Sequence, residues 1–271
     1  MSTLSSPLPA PDLPALDRAL GTLAPAFSVR WLEECASTNS ALLDAPPEND
    51  GRAHVLVATR QSAGRGRRGR QWLSWPGASL TFSVLWRFAP DAPAPGGLSL
   101  AVGLALARAL EKLGLPEVTL KWPNDVLARG AKLAGVLVEV LPERGSLATV
   151  IGIGLNLRLP ADAVIPDPAG SVTDLAREMP HLPAREQILA AILSELHPTL
   201  TTYASAGFAL LRNAWQQRNA FANLPIRVSS EGQDLVGLCL GVDEEGALLV
   251  RGNDGATRRV YAGDVSMRPA P

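Results

Sequence analysis

The chain has 271 residues, 46% of them hydrophobic, enough to bury a substantial core in one large domain or one large and one small. Its 25 basic and 26 acidic residues leave a formal net charge of −1, which excludes a whole-molecule electrostatic footprint for DNA or an anionic membrane. No stretch is long and apolar enough to span a bilayer, so no membrane partner is expected and any strongly charged segment must act locally.

In chain order, "MSTLSSPLPAPDLPALDRAL" has no basic leader and no apolar run, and is expected to be a flexible, proline-rich tail over residues 1–25. "FSVRWLEE" reads as a strand, followed by a short helix in "STNSALLDA" with Ser37 or Thr38 as its cap. "AHVLVAT" is a buried strand that delivers Gln61 and then "GRGRRGR", Gly64 to Arg70. In "SLTFSVLW", Leu80, Phe82, Val84 and Trp86 alternate with Ser79, Thr81 and Ser83, predicting a strand with one buried face. "LSLAVGLALARALEKLG" is apolar nearly all round, as a helix between layers would be. "VTLKWPND", "AKLAGVLVEV" and "LATVIGIGLNL" are three strand-like segments in close succession, which suggests antiparallel neighbours. "REQILAAILSELHPTLTTY" and "FALLRNAWQQRNAF" read as helices. From about Pro225, short strands separated by "DEEG" and "NDG" predict a small barrel. The expected organisation is an α+β domain over 26–223, its mixed, largely antiparallel sheet packed with helices, and a small β-barrel over 224–271.

Four arginines and three glycines in "GRGRRGR" offer guanidinium forks and a backbone that glycine lets approach a ligand. A solvated loop, a nucleic-acid contact and a small anionic ligand all suit such a stretch, and its enclosure between two strands favours the last. The phosphate-loop pattern, which needs a lysine followed by serine or threonine, is absent. Lysine occurs only at 112, 121 and 132, so arginine has almost replaced it. A surface charge tolerates that exchange, but a site needing a compact ammonium does not. Lys121 and Asn124–Asp125 end a strand in "KWPND", and Lys132 opens another in "KLAGVLVE". This group reads either as a charged hairpin or as a holder of a nucleotide triphosphate with its Mg²⁺. In "IGIGLN" the glycines two apart imply close approach by a ligand or another part of the chain. His54, His181 and His197 have no metal-ligand spacing. Cys35 and Cys239 lie far apart, form no framework and read as small apolar residues suited to a reducing cytoplasm.

Taken together, "GRGRRGR", "KWPND", "KLAGVLVE" and "IGIGLN", with "STN" at Ser37–Asn39 and Gln61 ahead of them, resemble the biotin protein ligases in order and spacing from about residue 27 onward. The resemblance implies a class II synthetase-like catalytic domain with an SH3-like C-terminal barrel. It implies ATP-dependent biotinylation of a lysine on a biotin carboxyl carrier protein or domain through biotinyl-5′-AMP, with ATP, Mg²⁺ and biotin as the small molecules. By carry-over, Ser37, Thr38, Asn39 and Gln61 would hold the biotin head group, beside Gly64, Gly135 and Gly152. Arg65 and Arg67 would steady the loop over biotin and phosphates, and Lys132 would sit at the reacting carboxylate. Lys121, Trp122, Asn124 and Asn156 would contact the nucleotide, with Asn124 near its Mg²⁺. Trp122 is alternatively a core residue. Asp125 would receive or orient the incoming amine.

The resemblance further implies that the Arg/Gly loop orders on biotin binding, so that biotin precedes ATP. Some members of the family carry an N-terminal helix-turn-helix; the residues before 26 are too few and too proline-rich for three packed helices, and no nucleic-acid partner is expected. A monomer or weak homodimer is the expected state. Two alternatives remain: a lipoate or octanoate ligase of the same fold, and an RNA-binding module built on the Arg/Gly loop.

Overall fold

The computed structural model describes residues 10–90, 92, 95–143, 146–163, 165, 172–230, 233–262 and 266–270. From Leu13 the chain departs from the expected flexible tail, whose first nine residues lie outside the described ones. Leu13–Leu20 form α1, and a 3₁₀ turn follows over Gly21–Ala26. Asp12 caps the helix by accepting from the Ala15 amide at 2.8 Å, and Pro14 falls in the first turn, where its missing N–H costs nothing. Leu16 and Leu20, one turn apart, are then both buried in the main core.

β1 (Phe27–Cys35), α2 (Thr38–Asp44) and β2 (Ala53–Gln61) come next, with β1 and β2 parallel. β3 (Ser79–Phe88) returns antiparallel to β2 and leads into α3 (Leu98–Lys112). β4 (Val118–Lys121), β5 (Asp125–Ala128), β6 (Ala131–Glu143) and β7 (Ser146–Asn156) complete a seven-stranded mixed sheet of order β1-β2-β3-β7-β6-β5-β4. Every neighbouring pair except β1 and β2 is antiparallel. α4 (Leu175–Glu178), α5 (Arg185–Ala206) and α6 (Arg212–Gln216) follow. A second, five-stranded antiparallel sheet holds β8 (Pro225–Ser230), β9 (Gln233–Val242), β10 (Leu248–Gly252), β11 (Thr257–Val260) and β12 (Ser266–Pro269) in the order β11-β10-β9-β8-β12.

α1, α3 and α5 cover one face of the large sheet and enclose the main core. α3 is buried along nearly its whole length, as its all-round apolar sequence requires. α2 lies against β2, β3 and β7 on the other face, over a smaller cluster with Leu42, Leu56 and Leu85. That face is otherwise open, and its open part is where the functional residues gather.

Three local expectations change. β3 is buried on both faces, because α2 and β2 cover its polar side: Thr81 donates to the Ala58 carbonyl at 3.0 Å and Ser83 binds Thr38 and Asn39. The hairpin after "KWPND" contains the extra strand β5, whose four residues are too short to show periodicity. The second predicted late helix shrinks to α6, because Gln216, Asn219 and Arg212 spend their side chains on backbone groups, including those of Leu240 and Val242 in β9. Those bonds, with the Trp122 indole donating to the Gly246 carbonyl at 3.1 Å, also join the two sheets.

Candidate active site

A cavity of about 390 Å³ opens on the uncovered face of the large sheet. Arg65, Arg67, Arg68, Arg70, Lys121 and Lys132 line it, against Asp125 as the one carboxylate among the described lining residues. That imbalance makes it a site for an anion.

One end is neutral and polar. Ser37, extended and in the N-cap position, accepts from the Ser40 amide at 3.4 Å and starts α2 so that Thr38 and Asn39 face the sheet. Gln61, at the end of β2, accepts from the Thr38 amide at 2.7 Å and the Thr38 hydroxyl at 3.2 Å. Ser83 Oγ lies 2.7 Å from Thr38 Oγ1 and also bonds Asn39 Oδ1. Asn39 Nδ2 donates to the Leu137 carbonyl at 3.3 Å and to Glu139 Oε2 at 2.8 Å. Ser37, Thr38, Asn39 and Ser83 are all buried, so this network is preset rather than arranged by solvent.

The other end is basic. Lys132 Nζ is 2.8 Å from Asp125 Oδ1 and 5.9 Å from the centre of the Trp72 ring. The antiparallel register sets Asp125 opposite both Lys121 and Gly135, which brings the lysines of two motifs to one hairpin. Asn124 donates to the Val136 carbonyl at 2.7 Å and, more weakly, accepts from Arg67 at 3.4 Å. Asn156, buried at the end of β7, donates to the Thr173 carbonyl at 3.0 Å. Trp122 is 1% exposed and belongs to the core while also lining the cavity.

The Arg/Gly stretch folds back on itself above this floor. The Trp72 amide donates to the Gly64 carbonyl at 2.9 Å, Arg65 bridges to Gln71, and the Gly66 amide donates to the Arg70 carbonyl at 2.7 Å. The turn at its tip passes through left-handed backbone at Arg68 (φ 59°) and Gly69 (φ 67°). Arg65 points down to Glu139 Oε1 at 2.6 Å and Ser40 Oγ at 3.2 Å.

The glycines of β6 and β7 open space for side chains. A Cβ on Gly152 would lie 2.2 Å from Asn39 Oδ1, one on Gly154 would lie 2.2 Å from the Trp72 ring, and one on Gly135 would lie 3.2 Å from it. The close approach that "IGIGLN" demands is thus made by Asn39 and Trp72. Gly64 is constrained likewise, its missing Cβ falling 2.4 Å from the Trp72 carbonyl oxygen.

The structure therefore brings to one cavity every residue that the motifs single out except Gly64, which lies behind two lining residues, Trp72 and Gln61. Sequence reasoning passes over Trp72, Ser83 and Glu139. Glu139 could have been noticed as a carboxylate in an apolar strand, in step with Gly135 and Leu137 on the same face. Among the described residues no group of three or more His, Cys, Asp or Glu could hold a metal. The cysteines stand apart from the cavity: burial pushes both thiols above their ordinary range, helped at Cys35 by the neighbouring Glu34 carboxylate.

Comparison with known proteins places the chain among its relatives. Residues 34–156 match the Biotin/lipoate A/B protein ligase family, and residues 223–268 match the Biotin protein ligase C terminal domain. The Bifunctional ligase/repressor BirA of Escherichia coli is 35% identical over 246 residues, covering 90% of this chain and 75% of that protein. The Biotin--[acetyl-CoA-carboxylase] ligase of Mycobacterium tuberculosis is 39% identical over 239 residues, 86% of each. A solved biotin protein ligase from Aquifex aeolicus, in complex with biotin and ATP, superposes with a TM-score of 0.77 at 28% identity, over 89% of this chain and 99% of that one. The chain belongs to the biotin/lipoate A/B protein ligase family.

Proposed function

We propose that this protein uses ATP to join biotin to a lysine of a biotin carrier domain. The observation that carries the reading is the two-ended cavity: uncharged hydrogen-bonding side chains of Thr38, Asn39 and Gln61, backed by buried Ser83, at one end, and Lys132 with the loop arginines at the other. Biotin has the matching polarity, with a neutral ureido head and an anionic carboxylate at the end of an alkyl chain.

In the first step the biotin carboxylate oxygen attacks the α-phosphorus of ATP, and pyrophosphate leaves. Two anions must meet for this, and Lys132 with Arg65 and Arg67 offsets their repulsion and the charge that develops on the phosphoryl oxygens. Lys132 suits the reacting position because a compact ammonium can follow charge from carboxylate to phosphate, where a guanidinium would crowd the site. Lys121, Asn124, Trp122 and Asn156 border the nucleotide. The Asn124 amide oxygen, which accepts from Arg67 here, would be the protein contact to an Mg²⁺ bound with ATP, and that ion would supply further neutralisation of the phosphate charge. In the second step a carrier lysine attacks the acyl carbon, AMP leaves, and Asp125 takes or orients the proton that the ammonium must lose. Once Lys132 turns to the acyl phosphate, Asp125 is released for that role.

The division of labour follows the two sheets. Residues 26–223 carry the chemistry, and residues 224–271 close its nucleotide end, where Met267 of β12 lines the cavity. An octanoate or lipoate ligase is the weaker reading, since an alkyl or dithiolane head could return no hydrogen bond to the polar side chains of Asn39, Gln61 and Thr38 that line this end. No helix of the described residues is long and apolar enough to cross a membrane. Incubation with biotin, MgATP and a biotin carrier domain should label one carrier lysine, and a carrier with that lysine replaced by arginine should stay unlabelled. Failure to label any biotin carrier would contradict the reading.

A further inference from the structure

Glu139 is absent from the lining of the cavity and from every role assigned above, yet it touches both halves of the biotin site. Its Oε2 accepts from Asn39 Nδ2 at 2.8 Å, and its Oε1 accepts from Arg65 at 2.6 Å. The partners come from the start of α2 and from the Arg/Gly loop, 100 and 74 residues away in sequence. Asn39 has no orientational freedom left: its oxygen takes Ser83 and its amide protons go to Leu137 and Glu139. Arg65, half exposed, is held by Glu139 and the Ser40 hydroxyl.

We propose that Glu139 is a positioning residue that couples recognition of the biotin head to closure of the Arg/Gly loop. One carboxylate presets the Asn39 amide that meets the head group and latches the loop arginine that covers the adenylate. The proposal rests on the ligase reading. It predicts that the two functions fail together when the charge is removed.

The isosteric Glu139→Gln variant has one acceptor oxygen for two donors, so its amide N–H meets either Asn39 or Arg65 and the carboxylate bridge between them is broken. Wild type and variant would each be loaded with biotin and MgATP, stripped of free ligand, and followed for release of biotinyl-5′-AMP. The expected result is release roughly tenfold faster and a biotin KM raised by a similar factor, as loss of one charged hydrogen bond implies. Thermal unfolding and kcat for pyrophosphate exchange at saturating substrates should stay close to wild type, which a generally damaged fold would not allow. Combining Glu139→Gln with Arg65→Met should be no worse than the poorer single variant, since both cut the same contact. Adenylate held as tightly by Glu139→Gln as by wild type, or fully additive effects in the pair, would overturn the proposal. Should the variant not fold, the wild type decides: raising NaCl from about 0.05 to 0.5 M should speed adenylate release several-fold by screening the half-exposed pair, and an unchanged rate would overturn it. A wild type that makes no adenylate from biotin and ATP would sink the ligase reading and this proposal with it, whereas adenylate made and held equally by both proteins would sink this proposal alone.

Discussion

Lys132 is gripped by a carboxylate on one side and faces an aromatic ring on the other, which fixes an otherwise flexible four-carbon stem at the cavity's centre. That position was legible in the sequence, because a chain that has almost abandoned lysine keeps it where arginine cannot serve. The glycines of "IGIGLN" were legible for a related reason, since a glycine inside a strand breaks a local rule, whereas Asn39 and Gln61 were reached only through the family resemblance. Trp72 and Ser83 obey their local rules, and only contacts across tens of residues give them meaning; Glu139, a carboxylate in an apolar strand, carried a signal that went unread. Gly152 tests the point most sharply. Gly152→Ala places a methyl 2.2 Å from Asn39 Oδ1, so Asn39 must leave its preset orientation. Overpacking of about 1–3 kcal/mol should lower the unfolding temperature by several degrees and raise the biotin KM roughly tenfold or more, with the ATP KM little changed. Steady-state kinetics in both substrates would check this, and an unaltered biotin KM would show that Asn39 does not touch the head group.

At the scale of elements, the apolar helices and strands appear where alternation and apolar runs place them; besides the two-sided burial of β3 and the extra strand β5, the departures are α1 and α6. α1 escaped notice because prolines dominate its neighbourhood, although the Asp12 cap, Pro14 in the first turn and the Leu16/Leu20 pair are the proper signals of a helix start. α6 was overread because Gln216 and Asn219 fit a helical pattern but bond backbone in another strand and in the following turn. These elements are structural in different ways. Leu16 is fully buried between α1 and the core, so Leu16→Ala should cost about 2–5 kcal/mol and lower the unfolding temperature by roughly 5–15 °C. Differential scanning calorimetry would measure it, and a variant as stable as wild type would mean that α1 is not docked in solution.

Over the whole molecule, near-neutral charge conceals a division between one cationic cavity and a surface with almost no amines. Lys132 and Lys121 lie within the cavity, 27% exposed at the side chain and 9% exposed overall, whereas the Lys112 side chain is 72% exposed at the end of α3 and paired with Glu195. Any escaping acyl adenylate therefore meets one exposed lysine. After prolonged incubation with biotin and ATP, peptide mass spectrometry should find side-chain labelling confined to Lys112 and low. A variant with several surface arginines changed to lysine should label more, and equal labelling would contradict a protective surface.

The ligase reading itself stands or falls on adenylation. Exchange of labelled pyrophosphate into ATP would be measured with biotin, lipoate, octanoate or no acid, for wild type and Lys132→Ala. The account predicts exchange that depends on biotin alone and falls by about 10²–10³ or more in the variant. Exchange driven by lipoate or octanoate instead, or exchange that survives loss of Lys132, would contradict it.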